Sequence, residues 1–196
     1  MKTFKQFFTE QKEKYVILLP GGYKPPTKGH LHMIKSYNDN PLVAKVIVLI
    51  GPKEREGVTR EHSMQIFNLY GVSSLQKVSI ESTKFDNPMV AGFDFVEKDP
   101  RAEDYKGLIF GFGASNKGDD AARAERLVDY FTKNPDRLRP GLQVEVPPIV
   151  DALESDGTAV SATDLRKAIR DTDANTVQQL IPDGVNAKDF LAIFHK

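Results

Sequence analysis

The feature that most constrains this chain is a series of short, wholly apolar runs separated by helical patterns. YVILLP (15–20) is apolar without interruption and ends at Gly21-Gly22, and AKVIVLIG (44–51) repeats the character. A strand with one wet face alternates polar and apolar residues. A continuous apolar run is buried on both faces, the habit of parallel sheets covered by helices. KVSIES (77–82) and YKGLIFGFG (105–113) read as a third and a fourth strand, and LQVEV (142–146) as a short fifth. Helical patterns occupy 29–39, 60–70 behind an N-cap at Thr59, 119–133, and three segments near 161–171, 174–181 and 186–195. The expectation is an α/β fold: a Rossmann-like parallel sheet of about five strands with helices on both faces.

Such a sheet binds ligands beyond the carboxyl ends of its strands, so the loops there carry the argument. PGGYKPPTKGH follows the first strand directly. Gly21 and Gly22 let the backbone turn sharply and approach a ligand, and Pro25 and Pro26 stiffen the loop. Gly29 and His30 open the next helix, whose exposed N–H groups and positive dipole end suit an anion. Thr27 and His30, three residues apart, can aim donors at one phosphate, where an imidazole stabilises developing charge without acting as a nucleophile. A Walker-type P-loop is excluded because no G-x-x-x-x-G-K-[ST] occurs.

The string G-G-Y-K-P-P-T-K-G-H resembles the G-x-F-D-P-x-T-x-G-H signature of phosphopantetheine adenylyltransferases. It is similar also to the H-x-G-H loops of nicotinamide-mononucleotide adenylyltransferases and cytidylyltransferases. Tyr23 stands for the aromatic, and Thr27, Gly29 and His30 for the motif proper. Lys24 replaces the aspartate of the first family, adding a cation beside the phosphates. Near the C-terminus, V-S-A-T-D-L-R (160–166) resembles the second signature of this T/H-x-G-H nucleotidyltransferase superfamily, I-S-S/T-T-x-x-R. The resemblance implies that Ser161 and Thr163 bind the β- and γ-phosphates and that Arg166 neutralises the departing pyrophosphate. On the residues alone, Ser161 is a helix N-cap with Asp164 at the third position after it.

Between the signatures the match is looser. Lys53 and Arg55 occupy the region where relatives place a basic residue reaching the phosphates; a solvated charged loop is the plain alternative. Thr59, Arg60 and Glu61 resemble a T-x-E-x-R helix start whose Arg is missing. In IFGFGASNKGDD, Gly111 and Gly113 let an adenine or ribose approach the backbone, and Asn116 or Asp119 can bond ribose hydroxyls. Phosphopantetheine adenylyltransferases carry R-G-x-R where this chain has Phe110, Gly111, Phe112 and Gly113, which argues against phosphopantetheine as acceptor. Asp119 and Asp120 read as a complement to a helix dipole rather than a metal site. His32 and His62 lack partners at metal spacing and read as surface or packing residues.

Composition sets the remaining bounds. With no cysteine there is no thiol chemistry, Cys-ligated zinc or disulfide framework, which suits a cytoplasmic setting. Lys plus Arg and Asp plus Glu each number 27, so no nucleic-acid-binding surface is expected and any phosphate site must be local. No apolar run approaches membrane-spanning length. Residues 1–14 form an amphipathic lead bearing Phe4, Phe7 and Phe8, ahead of a single domain over 15–196. The activity that the resemblance implies is transfer of a nucleoside monophosphate, with ATP favoured over CTP as donor, to a small phosphate-bearing acceptor with release of pyrophosphate. Mg²⁺ is then expected to ride on the NTP phosphates, with few or no ligands from the protein. A cytidylyltransferase acting on an alcohol or sugar phosphate, and a degenerate nucleotide-binding regulatory or structural protein, stay open as alternatives. Homo-oligomerisation is left open too.

Overall fold

The computed structural model describes residues 13–116, 120–152, 154–155, 158–159 and 161–195. Five parallel strands form the main sheet: β1 (Tyr15–Gly21), β2 (Val43–Ile50), β3 (Val78–Ser82), β4 (Ile109–Phe112) and β5 (Gln143–Val144). Their order is β3-β2-β1-β4-β5. The chain winds outward from β1 in one direction and then in the other, which puts a switch in strand order between β1 and β4. A two-stranded antiparallel ribbon, β6 (Glu154–Ser155) with β7 (Thr158–Ala159), lies outside the main sheet.

Period-two alternation sends each buried strand to two cores. Ile17 and Leu19 of β1 face one core with Val46, Val48 and Ile50 of β2. Helices α1 (Lys28–Asp39), α2 (Arg60–Leu69), α5 (Ala162–Arg170), α6 (Ala174–Leu180) and α7 (Ala187–Leu191) cover that side through Ile34, Phe67, Leu165, Val177 and Phe190. Val16 and Leu18 face the other core, closed by α3 (Pro88–Lys98) and α4 (Asp120–Lys133) through Phe95, Val96, Leu127 and Phe131. Each such side chain, fully removed from water, contributes about 1.5–3 kcal/mol against chain entropy.

The sheet and its two-sided cover match the sequence expectation, with three corrections. Helix α3 was not anticipated, although Asn87 caps it by accepting the Met89 N–H and Pro88 occupies its first turn, both standard start signals. Residues Pro100–Tyr105 form a 3₁₀ turn and Gly107 takes a φ of 86°, so the fourth strand begins at Ile109 rather than 105. The fifth strand shrinks from 142–146 to two residues. Of the amphipathic lead at 1–14 only Glu13 and Lys14 are described; Phe4, Phe7 and Phe8 lie outside the described residues. Among the described residues no helix is long and apolar enough to cross a membrane.

Candidate active site

The loop leaving β1 is shaped by Tyr23. Its backbone is left-handed, with φ 50°, and its ring folds back so closely that a Cβ on Gly21 would sit 2.7 Å from it. The phenol donates to the Leu19 carbonyl at 2.9 Å, and burial pushes its pKa upward. The same ring meets His30 edge-on at 5.0 Å and Phe67 at 5.3 Å. The Lys24–Pro25 peptide is cis. From α2, the buried Ser63 hydroxyl donates to the Tyr23 carbonyl at 2.5 Å. Ser63, where the resemblance expects an arginine, thus pins the loop from behind.

At the start of α1, Thr27 and His30 form a capping box. The Thr27 amide donates to His30 Nδ1 at 3.0 Å, and Thr27 Oγ1 lies 3.0 Å from the same nitrogen. An amide N–H can only donate, so Nδ1 keeps its lone pair and the neutral ring carries its proton on Nε2. Thr27, 2% exposed, is turned inward. It orients His30 rather than aiming its own hydroxyl outward, which revises the reading of two donors on one phosphate.

Lys24 is 5% exposed. Its ammonium donates to the Gly22 carbonyl at 2.9 Å and the Gly51 carbonyl at 3.1 Å, tying the ends of β1 and β2 together. Burial, reinforced by the Arg60 charge and opposed by Glu61, lowers its pKa to about 8. Arg166, 3% exposed, comes from α5. Its Nε donates to Glu56 at 2.9 Å, one terminal nitrogen to the Lys24 carbonyl at 2.9 Å and the other to Thr163 Oγ1 at 3.0 Å. Ser161 caps α5, its hydroxyl accepting the Thr163 amide at 3.1 Å and the Asp164 amide at 3.4 Å.

Two adjoining hollows open at the carboxyl ends of the central strands and share Gly22, Tyr23 and His30. The first, at the β1/β4 switch, is lined also by Gly21, Met33, Met89, Phe112, Gly113, Asp120 and Arg123. The second is lined by Lys24, Gly51, Lys53, Glu54, Arg55, Asp86, Pro88, Ala162 and Arg166. It sets four cations against two carboxylates, a local positive excess on a chain of zero net charge. Such a concave cationic wall favours anionic ligands.

Of the residues singled out from sequence, His30, Lys24, Arg166, Gly21, Gly22, Tyr23, Gly113, Lys53 and Arg55 line these hollows. Thr27, Gly29, Gly111, Ser161, Thr163 and Asn116 do not. Thr27, Ser161 and Thr163 support the lining residues from behind, as described. A side chain on Gly111 would meet Pro147 and the Glu145 carbonyl. Asn116 ties its loop to the segment after β5, donating to Asp151 at 3.0 Å and accepting the Ala152 amide at 2.8 Å. Asp119 lies outside the described residues. A Cβ on Gly113 would overlap Leu19, Ile17 and Tyr37, and Phe110 is wholly buried in the far core. Neither position leaves room for the arginines of the phosphopantetheine pattern.

Sequence reasoning missed Met33, Met89 and Phe112, which have ordinary core spacing, and the Asp120–Arg123 pair at 3.2 Å beside Ser115. It missed Glu56 as well. A second T-x-x-H box, Thr59 with His62, repeats the cap of α1, but its ring packs edge-on against Phe194 at 4.9 Å. His32 faces the Asp151 carbonyl at 3.2 Å. Among the described residues no group of three His, Asp or Glu could hold a metal ion.

In overall shape the chain is similar to solved adenylyltransferases. Against Plasmodium falciparum nicotinic acid mononucleotide adenylyltransferase complexed with APC, the TM-score is 0.60 at 15% identity, covering 93% of this chain and 96% of that one. The same enzyme complexed with NaAD gives 0.50 at 12% identity, with 93% and 97% covered. A bifunctional NMN adenylyltransferase/ADP ribose pyrophosphatase from Francisella tularensis gives 0.52 at 17% identity, covering 93% of this chain and 52% of that larger one. At these identities the likeness is one of fold. No protein-family model matches the chain, and no curated protein matches its sequence.

Proposed function

We propose that the chain is a nucleotidyltransferase, transferring AMP from ATP to a phosphate-bearing acceptor with release of pyrophosphate. The observation that carries this reading is the fixed tautomer of His30. The Thr27 amide occupies Nδ1, so Nε2–H is the donor, in the ring shared by both hollows. The fold shared with adenylyltransferases favours ATP over CTP.

In this mechanism an acceptor phosphate oxygen attacks the α-phosphorus in line. One P–O bond forms as the bond to the pyrophosphate oxygen breaks, and no covalent enzyme intermediate is needed. His30 donates to the α-phosphate oxygen as charge builds there. Lys24 and Arg166 hold the β- and γ-phosphates, and Lys53 and Arg55 extend the cationic wall. Orientation and preorganised charge supply the catalysis, because His30, Lys24 and Arg166 are each tied to the backbone before substrate arrives. Mg²⁺ enters as the counter-ion of the triphosphate, supplying charge neutralisation. The donor chemistry of the second hollow, cations with only Glu54 and Asp86 as carboxylates, suits an ion carried by the phosphates.

Pyrophosphate release, measured with ATP, CTP, GTP and UTP against nicotinic acid mononucleotide, NMN, pantetheine phosphate and simple alcohol phosphates, tests the reading. ATP-dependent release with a mononucleotide acceptor is the expected result. CTP-dependent release moves the chain to the cytidylyltransferases, and nucleotide binding without release across the panel reduces it to a binding protein.

A further inference from the structure

The ion pair between Glu56 and Arg166 has no part in the reaction above, yet it sits on the cleft's cationic wall. Glu56 is at the tip of a turn that closes on itself, the Arg55 amide donating to the Val58 carbonyl at 3.1 Å and the Val58 amide to the Arg55 carbonyl at 3.0 Å. Its φ of 50° is a left-handed conformation that non-glycine residues seldom adopt. The carboxylate accepts from Arg166 at 2.9 Å and from Arg170 at 3.4 Å. Arg166 holds its carboxyl below the ordinary range, with Arg170 adding to the effect. The Glu56 side chain is 44% exposed, whereas that of Arg166 is 2% exposed.

Three of the five guanidinium N–H donors are taken, and Nε, with its single hydrogen, is spent on Glu56, so a phosphate that gripped Arg166 through Nε would displace that carboxylate. The Lys24 carbonyl is part of the β1 exit loop, and Thr163 belongs to the same helix as Arg166. Glu56 alone is anionic like a phosphate oxygen, and it comes from a half-exposed turn anchored through the buried Val58. Arg170, 61% exposed, gives the carboxylate a second partner outside the cleft.

We propose that Glu56 is a resident anion that covers Arg166 while the cleft is empty and is exchanged for phosphate when nucleotide binds. The turn bearing Arg55, and Lys53 ahead of it, then moves with nucleotide binding. This rests on Arg166 being a phosphate ligand in the proposed reaction.

The test is calorimetric binding of inorganic tripolyphosphate and of ATP to the full chain, to Glu56→Gln and to Glu56→Asn, with melting temperature as the control for folding. Asn tolerates left-handed backbone, so the second variant preserves the turn. Both variants are expected to bind either ligand about two- to fivefold more tightly, the size of effect for a pair with one half-exposed partner. In an Arg166→Gln background the gain should vanish. Equal or weaker tripolyphosphate binding by folded Glu56 variants, no binding by any form, or a gain that survives Arg166→Gln overturns the proposal. A tripolyphosphate gain with no NTP turnover keeps the resident anion and removes the transferase reading. Turnover without the gain does the reverse.

Discussion

Two side chains at the β1 exit make opposite demands on their surroundings. His30 is held from behind by a backbone amide that fixes its tautomer, and in the proposed reaction its Nε2–H is the donor. His30→Ala should lower kcat by about 10²–10³-fold, the usual loss for one preorganised donor. Nucleotide Kd should change only a few fold, since Lys24, Arg166 and the α1 amides remain; kcat, Kd and melting temperature on one preparation separate this from a purely structural role. Lys24 is a buried cation whose pKa is lowered to about 8. Its charge is present below that pH, so nucleotide binding should weaken as pH rises through about 8, and Lys24→Gln should bind more weakly with that limb gone. Stability runs the other way. Between about 8 and the ordinary lysine value near 10.5 the unfolded chain binds the extra proton, so this group's contribution to stability rises with pH. Melting temperatures of wild type and Lys24→Gln across pH 7–10.5 check the sign.

Among the elements, α3 shows how far sequence carries and where it stops. The continuous apolar strands point to a buried parallel sheet, because a strand as apolar as YVILLP needs cover on both faces and helical patterns alternate with it. The β1 exit loop is equally readable, since its glycines, prolines and capping residues each dictate a local conformation. Helix α3 hides behind Gly92, a poor helix former inside its span, although Asn87 and Pro88 mark its start. In the fold Pro88 starts the helix and Gly92 lets it lie against β4, where a Cβ would overlap the Phe112 ring. Phe112 is buried beside Phe93 and also lines the first hollow, so a displaced ring would have to leave its packing and turn into the cleft. Gly92→Ala should destabilise by about 1–3 kcal/mol through overpacking, read as a lower urea midpoint at unchanged m-value. Glu56 and Arg123 were unreadable for a different reason: they reach the cleft only through tertiary placement, and no local pattern marks them. The paired T-x-x-H boxes make the same point. One cap faces the cleft and the other packs on Phe194, a distinction that spacing alone does not contain.

For the whole molecule, the shape of the cleft bears on what it accepts. With no space at Gly113 and a core aromatic at Phe110, pantetheine phosphate should give no ATP-dependent pyrophosphate release above background, and robust turnover would show that Lys53 or Arg123 had taken over its phosphate. The order of strands in the sheet also sets a schedule. β1 is made before β4, with which it pairs at Tyr15 and Ile109, 94 residues apart, and the Lys24–Arg166 contact spans 142 residues. Contacts of such long range form late, after the loop between them has lost its freedom. A growing chain would therefore carry the β1 exit loop, from Lys24 until Arg166 is made 142 residues later, without the helix that clamps it. Its first strand, with one edge unpaired until β4 arrives, is the segment a chaperone would be expected to hold.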